Sequence, residues 1–203
     1  MQKQTQLKAK LSIFNFLQYF IWGSWYVSMG AYLANILKFG GQEIGAAYGA
    51  FAIGSMISPF FVGLIADRYF PSEKMLAALS LLGGLALCAL ANLNTFLSFY
   101  STLIFYCALY TPTLALGNSL ALSHLEDSKT AFPRIKLWSA VGWIGGGVTL
   151  TLLKGEQSNI QFYLAGGVSV LLGIYSLALP HTPPQKTGKE ITVGELLGLD
   201  ALA

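Results

Sequence analysis

The residues best suited to bind a ligand lie in the stretch AFPRIKLWSAVGWIGGG, residues 131–147, where a lysine stands just inside an apolar segment. On a helix, Lys136, Ala140, Trp143 and Gly147 share one face. An ammonium group, a small residue and an indole in this arrangement can form the floor of a polar cavity. The alternative is that Lys136, which is close to the end of the segment, extends its ammonium to the lipid headgroups.

A second group of polar and aromatic residues recurs at i, i+3, i+7 and i+10 near the N-terminus, namely Asn15, Gln18, Trp22 and Trp25. This spacing puts them on one helical face. The Gln18 amide can donate and accept hydrogen bonds, and indole rings offer flat stacking surfaces, which suits a nucleobase or a sugar. The alternative is an aromatic belt at a membrane interface. We predict that Gln18 and Trp22 line a binding cavity.

A third face, in a later apolar segment, combines hydroxyl groups with a glycine. Its members are Tyr106, Tyr110, Thr113 and Gly117, and Pro112 interrupts the backbone hydrogen bonds beside them. The pattern is compatible with a cavity wall, but the favoured interpretation is a helix kinked at the proline.

Apolar helices must position these residues, because the chain has a composition unlike that of a soluble protein. It contains 54% hydrophobic and 10% charged residues, and its mean hydropathy is +0.58. Soluble domains carry about a quarter charged residues, and about 20 helical residues cross a hydrocarbon core. The sequence predicts an all-α polytopic membrane protein with six transmembrane helices near 11–37, 44–66, 75–93, 96–123, 134–153 and 159–180.

The positions of the basic residues predict the orientation of these spans. Of the 12 Lys and Arg residues, only Lys38 and Lys154 fall on the side opposite to the N-terminus, so both ends of the segment are expected in the cytoplasm. Residues 1–10 form the cytoplasmic N-terminus, 11–180 the six-helix domain, and 181–203 a cytoplasmic loop. The net charge of +3 follows from this topology and does not indicate nucleic-acid binding.

Small residues recur every four positions in two of the spans. They are Ala46, Ala50, Gly54 and Ser58 in the second span, and Gly142 and Gly146 in the fifth. Such faces let helix backbones approach closely in a bilayer. Tight packing is the favoured interpretation, and a sliding surface used in conformational change is the alternative.

The sequence contains none of the common catalytic or nucleotide-binding motifs, so we expect no enzyme activity, no cofactor and no metal. His124, Glu126 and Asp127 are close in sequence, but a solvated loop explains them. All nine Asp and Glu residues fall in loops, tails or span ends. Because membrane proton relays use carboxylates or histidines inside the bundle, a proton-coupling carboxylate would have to lie outside this sequence.

Several stretches together resemble the nucleoside:proton symporters of the major facilitator superfamily. The more specific ones are Trp22-Gly23-Ser24-Trp25 and Tyr110-Thr111-Pro112-Thr113, whereas Gly63-Leu64-Ile65-Ala66-Asp67-Arg68 is a general mark of the superfamily. Further similarity is seen in Phe16-Leu17-Gln18-Tyr19, Leu37-Lys38-Phe39, Phe132-Pro133, Leu179-Pro180-His181 and Leu197-Gly198-Leu199-Asp200-Ala201.

The resemblance implies a transporter of the bacterial inner membrane with two six-helix halves, of which this sequence is the N-terminal one. The expected partners are a nucleoside or similar small polar molecule, the proton gradient, the lipid bilayer and the C-terminal half of the same transporter, with substrate bound between the halves. In the family, the fifth helix supplies a basic, a hydroxyl and an aromatic residue, which correspond here to Lys136, Ala140 and Trp143. Asp67 and Arg68 correspond to a conformational gate.

Two departures from the family pattern keep other functions open. Lys136 and Ala140 stand where the pattern has arginine and threonine, so a bidentate fork and a hydroxyl group are absent. A major facilitator transporter for a sugar or another small metabolite is therefore the first alternative. A six-helix membrane subunit with no transport role is the second.

Overall fold

The structure, a computed structural model, describes residues 2–61 and 70–184, and seven α-helices make up most of these two ranges. The described part contains no β-strand. The helices are α1 (Gln2–Trp25), α2 (Met29–Asn35), α3 (Gly41–Phe61), α4 (Ser72–Leu90), α5 (Phe96–His124), α6 (Ser128–Leu152) and α7 (Ile160–Ser176). The prediction of an all-α fold is confirmed.

Helix boundaries depart from the expected spans in three places. The first span is divided, since residues 26–28 form a turn between α1 and α2. Helix α1 begins at Gln2 rather than near residue 11, because the segment QKQTQLKAK consists mainly of good helix formers and lacks Gly and Pro. Helix α6 begins six residues before the expected position of 134, which puts Pro133 inside the helix.

The early start of α6 has a local cause at Asp127. Its carboxylate accepts hydrogen bonds from the backbone N–H of Thr130, at 3.3 Å, and from the Thr130 hydroxyl. These bonds satisfy an N–H group that the first helical turn leaves without a partner. They also hold the pKa of the Asp127 carboxyl below its ordinary value. Asp127 is thus a helix cap, and among the described residues no group of three or more His, Cys, Asp or Glu could hold a metal ion.

Within the described ranges, two helices, α4 and α5, are long and apolar enough to cross a membrane by length and composition alone. Helix α7 is apolar but shorter, with 17 residues. Helices α1 and α6 carry lysines at their N-terminal ends. The role of these other helices therefore has to be judged from the bundle in which they pack.

The helices pack in pairs around a shared core. The most extensive interface joins α1 to α6, and α4 packs against α7, α3 against α5, and α4 against α5. Helix α1 also contacts α7 and so connects the α1–α6 pair to the rest of the bundle. Large side chains fill the centre, including Phe14, Trp25, Phe99, Tyr106 and Phe162, each at most 1% exposed.

Glycines bring the backbones of α1 and α6 into direct contact. A Cβ atom at Gly142 would overlap the Phe16 carbonyl, and one at Gly146 would overlap the Phe20 carbonyl. From the other helix, a Cβ at Gly23 would overlap the Trp143 carbonyl. Close approach of this kind replaces the hydrophobic effect as a source of helix association in lipid. The G-x-x-x-G pattern is therefore a tight packing surface in this structure.

The small-residue face of α3 has the same role against α5. A Cβ at Gly54 would lie 2.7 Å from the backbone of Cys107, and Ala50 is fully buried. In addition, the Thr111 hydroxyl donates to the Gly54 carbonyl at 2.9 Å. This face is a packing surface as well.

The chain that leaves α7 is fastened to the start of α4 by a carboxylate. Glu73 is 5% exposed, and its Oε1 lies 2.7 Å from Nδ1 of His181. Its Oε2 accepts from the backbone N–H of Thr182 at 3.0 Å, and the Ser72 N–H donates to the Thr182 carbonyl at 3.1 Å. We refer to Ser72, Glu73, His181 and Thr182 as the clamp. It fixes the direction in which the chain leaves the bundle.

The glycine contact predicts different effects for two neighbouring substitutions. Gly146→Ala should destabilise the protein by about 1–3 kcal/mol, because the added methyl group forces α1 and α6 apart. Gly147→Ala is the matched control, since nothing lies within 4 Å of a Cβ at that position. Thermal unfolding in detergent micelles measures both. Equal melting temperatures for the two variants would contradict the packing role of Gly146.

The clamp predicts that Glu73→Ala lowers stability by about 1 kcal/mol, because the partly buried N–H of Thr182 loses its acceptor. Glu126→Ala removes an exposed carboxylate from the loop between α5 and α6 and serves as the control. Limited proteolysis after Pro180, together with the melting temperature, is the measurement. Protection unchanged in Glu73→Ala would show that the clamp does not hold this segment.

Candidate functional site

The contact between α1 and α6 brings together five side chains that we call the cradle: Tyr19, Trp22, Lys136, Ala140 and Trp143. The rings of Trp22 and Trp143 meet edge to face, with centroids 5.0 Å apart and planes at 82°. The rings of Tyr19 and Trp22 are 5.9 Å apart. Lys136 and Trp143 flank Ala140 along α6, and Ala140 is exposed. The cradle thus has a cation at one end of the α6 face and an indole at the other.

Lys136 rests on aromatic rings. Its Nζ lies 5.2 Å from the centroid of Tyr19 and 5.8 Å from that of Phe132, within the range of a cation–π interaction. The side chain is half-buried, and the only ion pair among the described residues joins His181 to Glu73. An ammonium held in this way keeps its N–H donors for a ligand, because ring faces do not consume them as a carboxylate would.

Within the cradle, Trp22 is the residue that packs against α3. Its ring is stacked on Phe51 of α3, with centroids 4.6 Å apart and planes at 9°, and Tyr110 lies at 6.2 Å. One face of the indole is therefore covered by protein. Its buried Nε1 has no hydrogen-bond partner among the described residues. Trp22 packs edge to face against Trp143, whose ring is half-buried, and contact of either ring with a ligand stays a prediction.

Gln18 lies behind the cradle, between α1 and α5. It is 1% exposed, and its Nε2 donates to the Thr113 hydroxyl at 3.0 Å. The Tyr110 hydroxyl donates to the Gln18 carbonyl oxygen at 2.8 Å. In this conformation the Gln18 side chain joins two helices, and its contact with a substrate stays a prediction.

Two further members of the predicted face on α1 are buried in the bundle. Asn15 is 2% exposed and its Oδ1 accepts from the Ser139 hydroxyl at 3.2 Å, while Trp25 is 1% exposed. These two side chains are therefore enclosed by the helix bundle in the described conformation, and the cavity role of Gln18 and Trp22 stays a prediction. The spacing identified a helix face, but the same spacing is found in a face that packs against another helix and in a face that lines a cavity.

The polar face of α5 packs against α1. Tyr106, Tyr110 and Thr113 are each at most 5% exposed, and Gly117 is closed off by the ring of Phe14 from α1. These residues stabilise the α1–α5 contact in the described conformation. The interpretation of this face as a cavity wall is not supported.

Tyr19 and Phe132 were not among the predicted site residues. A usable signal was present, since Tyr19, Trp22 and Tyr26 recur at i, i+3 and i+7 and form an aromatic stripe on α1. Two residues of this stripe, Tyr19 and Trp22, belong to the cradle, and the third, Tyr26, lies 6.1 Å from Trp143 between ring centroids. That Phe132 would contact Lys136 follows from its position one helical turn earlier on α6.

A cavity of about 520 Å³ continues from the cradle along α6 towards the loop after it. Trp143 is the residue that the cavity shares with the cradle. Ser28, Thr151, Glu156 and Gln157 add polar groups to a lining that is otherwise mainly apolar, with Gly23, Val27, Ala31, Ile144, Gly147 and Leu150. The Thr151 hydroxyl donates to Glu156. The predicted gate residues, Asp67 and Arg68, lie outside the described residues.

Comparison with known proteins decides the family. A sequence profile described as nucleoside H⁺ symporter matches residues 5–203. The chain belongs to the nucleoside H⁺ symporter family. The resemblance noted in the sequence is thereby confirmed.

Three members of the family from Escherichia coli (strain K12) are similar over almost the whole chain. The putative nucleoside transporter YegT is 39% identical over 201 residues, which are 96% of this chain and 47% of YegT. Xanthosine permease is 36% identical over 96% of this chain, and nucleoside permease NupG is 33% identical over 97%. The chain spans about half the length of these relatives.

The same relation holds for solved structures. The crystal structure of the nucleoside transporter NupG matches with a TM-score of 0.88 at 32% identity, and covers 97% of this chain and 49% of NupG. A mutant form of NupG gives a TM-score of 0.90. The fold of this family member is the N-terminal six-helix half of a major facilitator transporter. Its relatives are membrane transporters and permeases, not enzymes.

The buried position of Gln18 predicts a structural effect of its substitution. Gln18→Met keeps the volume but removes the bond to Thr113, and should destabilise the protein by about 0.6–1.7 kcal/mol, the range measured for hydrogen bonds between membrane helices. Gln42→Met, at an exposed position of α3, is the control. Thermal unfolding in detergent gives the difference. A Gln18→Met variant as stable as the control would show that the bond between Gln18 and Thr113 does not stabilise the contact of α1 with α5.

Proposed function

We propose that this chain is the N-terminal half of a proton-coupled nucleoside transporter that works by alternating access. The proposal is supported by the family to which the chain belongs and by relatives named as nucleoside and xanthosine permeases. The observation that carries it for this chain is the cradle, in which a cation and an indole flank an exposed alanine on the open side of the α1–α6 pair.

Each residue of the cradle has a distinct role in this proposal. Lys136 donates hydrogen bonds to polar groups of the nucleoside, and Trp143 stacks on the base. Ala140 leaves the space between them open. Trp22 and Gln18 form the wall behind, with Trp22 holding Trp143 in position and Gln18 joining α1 to α5.

The second half of the transporter completes the site in this proposal. Substrate sites of such transporters lie between two repeats near the middle of the membrane, so the C-terminal half supplies the opposite wall. The sequence has no Asp or Glu inside its predicted spans. The residue that couples uptake to the proton gradient accordingly belongs to the C-terminal half.

The proposed location is the inner, or plasma, membrane of the cell, with both ends of this segment in the cytoplasm. The distribution of Lys and Arg supports this orientation. Asp67 and Arg68 then lie on the cytoplasmic side, where they act as a latch that holds one of the two access states.

An uptake assay tests the function. We expect cells that express the full-length protein to accumulate radiolabelled uridine or adenosine, and we expect uptake to fall when the proton gradient is dissipated. Trp143→Ala should lower uptake at limiting substrate by about tenfold or more, since stacking on a base is worth about 1–3 kcal/mol. Lys136→Ala should have an effect of similar size, since a hydrogen bond from a charged group is worth about 1.5–3 kcal/mol. A scintillation count of filtered cells measures this.

Matched controls separate the cradle from general damage. Lys129→Ala removes an exposed cation near the start of α6, and Trp138→Ala removes an indole that is 48% exposed on another face of that helix. Both should keep uptake close to the unsubstituted level. Uptake that is insensitive to Lys136→Ala and Trp143→Ala would contradict the site, and competition by sugars but not by nucleosides would contradict the substrate class.

A further inference from the structure

We propose that Tyr19 is a positioning residue, whose ring holds the Lys136 ammonium inside the cradle and so sets its distance from Trp143. The proposal rests on the proposed function, because it assigns Tyr19 a part in presenting a ligand-binding group. Tyr19 itself donates nothing to the ligand in this account. It acts through Lys136.

The aromatic contact is the interaction that fixes the ammonium in the described structure. Nζ of Lys136 lies 5.2 Å from the centre of the Tyr19 ring and 5.8 Å from that of Phe132. The described carboxylates that have partners bond elsewhere: Glu43 with Gly40, Glu73 with His181, Asp127 with Thr130 and Glu156 with Thr151. With no carboxylate paired to it, the cation is held by the rings.

Without the ring, Lys136 has another favourable position. It stands in the third turn of α6, close to the end that the basic residues place in the cytoplasm. A lysine at such a depth can extend its four-carbon chain to the headgroup region. The Tyr19 ring therefore determines which of two orientations the ammonium adopts, and only one of them leaves it in the cradle.

The packing of α1 on α6 makes Tyr19 suitable for this role. Phe16 and Phe20, one turn before and one residue after Tyr19, present their carbonyl groups to Gly142 and Gly146. These contacts fix the height of the Tyr19 ring relative to Lys136, because neither helix can slide without a clash. The ring is a fixed support, whereas the lysine side chain is flexible.

The same ring connects the two ends of the cradle. Tyr19 contacts Trp22 at 5.9 Å, and Trp22 contacts Trp143 at 5.0 Å. The cation and the indole of α6 are thus held apart by a pair of rings from α1. Since an aromatic face is sufficient for this, the Tyr19 hydroxyl is not required, and phenylalanine should replace tyrosine without loss.

Transport kinetics in the full-length protein provide the first test. Tyr19→Leu should raise the KM for uridine roughly tenfold, as expected for loss of a cation–π contact, with little change in maximal velocity. Tyr19→Phe should behave like the unsubstituted protein. In a Lys136→Met background, Tyr19→Leu should have no further effect, whereas a structural role would add its own loss. A Tyr19→Phe variant as impaired as Tyr19→Leu, or additive losses in the double variant, would overturn the proposal.

A second test does not depend on transport. Reductive methylation with ¹³C-formaldehyde labels lysines, and a methylated Lys136 over an aromatic face should give an upfield-shifted methyl signal, assigned by its absence in Lys136→Arg. The shift should persist in Tyr19→Phe and become smaller in Tyr19→Leu, which leaves Phe132 as the ring near the ammonium. Tyr19→Met replaces Tyr19→Leu if the latter expresses poorly. A shift unaffected by loss of the ring overturns the positioning role. A ring-dependent shift in a protein that takes up no nucleoside supports the positioning role and contradicts the proposed function instead.

Discussion

Direct contact between the backbones of α1 and α6 is the constraint on which the remainder of the site depends. In lipid the hydrophobic effect contributes little to helix association, so van der Waals contact between closely packed helices has to stabilise the pair. Gly23, Gly142 and Gly146 allow that approach because each faces a carbonyl group of the other helix. As a consequence, the aromatic stripe of α1 is pressed against the face of α6 that carries Lys136 and Trp143.

Polar residues within the spans form two groups, which differ in burial and in hydrogen-bond partners. Asn15 with Ser139, and Gln18 with Thr113, satisfy each other between helices and have almost no exposed surface. Lys136 makes no such pair in the described part of the chain, and it lies next to the exposed Ala140. A buried polar group with a partner holds the bundle together, whereas a partly exposed one remains available for a ligand.

The sequence was sufficient for the helical class, and the resemblance in its short motifs led to the family, because apolar runs and motifs are local properties. The sequence also placed Lys136, Ala140 and Trp143 on one face, because all three residues belong to a single helix. Tyr19 and Phe132 were missed because the contact that makes them relevant depends on how α1 packs on α6. Periodicity grouped Asn15 and Trp25 with Gln18 and Trp22 because it defines a helix face but not what that face contacts.

The clamp and the cradle lie on different helices of the bundle. The clamp ties the outgoing chain to α4 and α7, at Glu73 and Thr182, whereas the cradle belongs to α1 and α6. In a transporter of two halves, tension along the connecting segment would reach α4 through the clamp and α1 through Lys10, whose Nζ donates to the Ala178 carbonyl at 2.8 Å. A pull on the connection would therefore act on several helices together, and α1, which carries Tyr19 and Trp22, would be one of them.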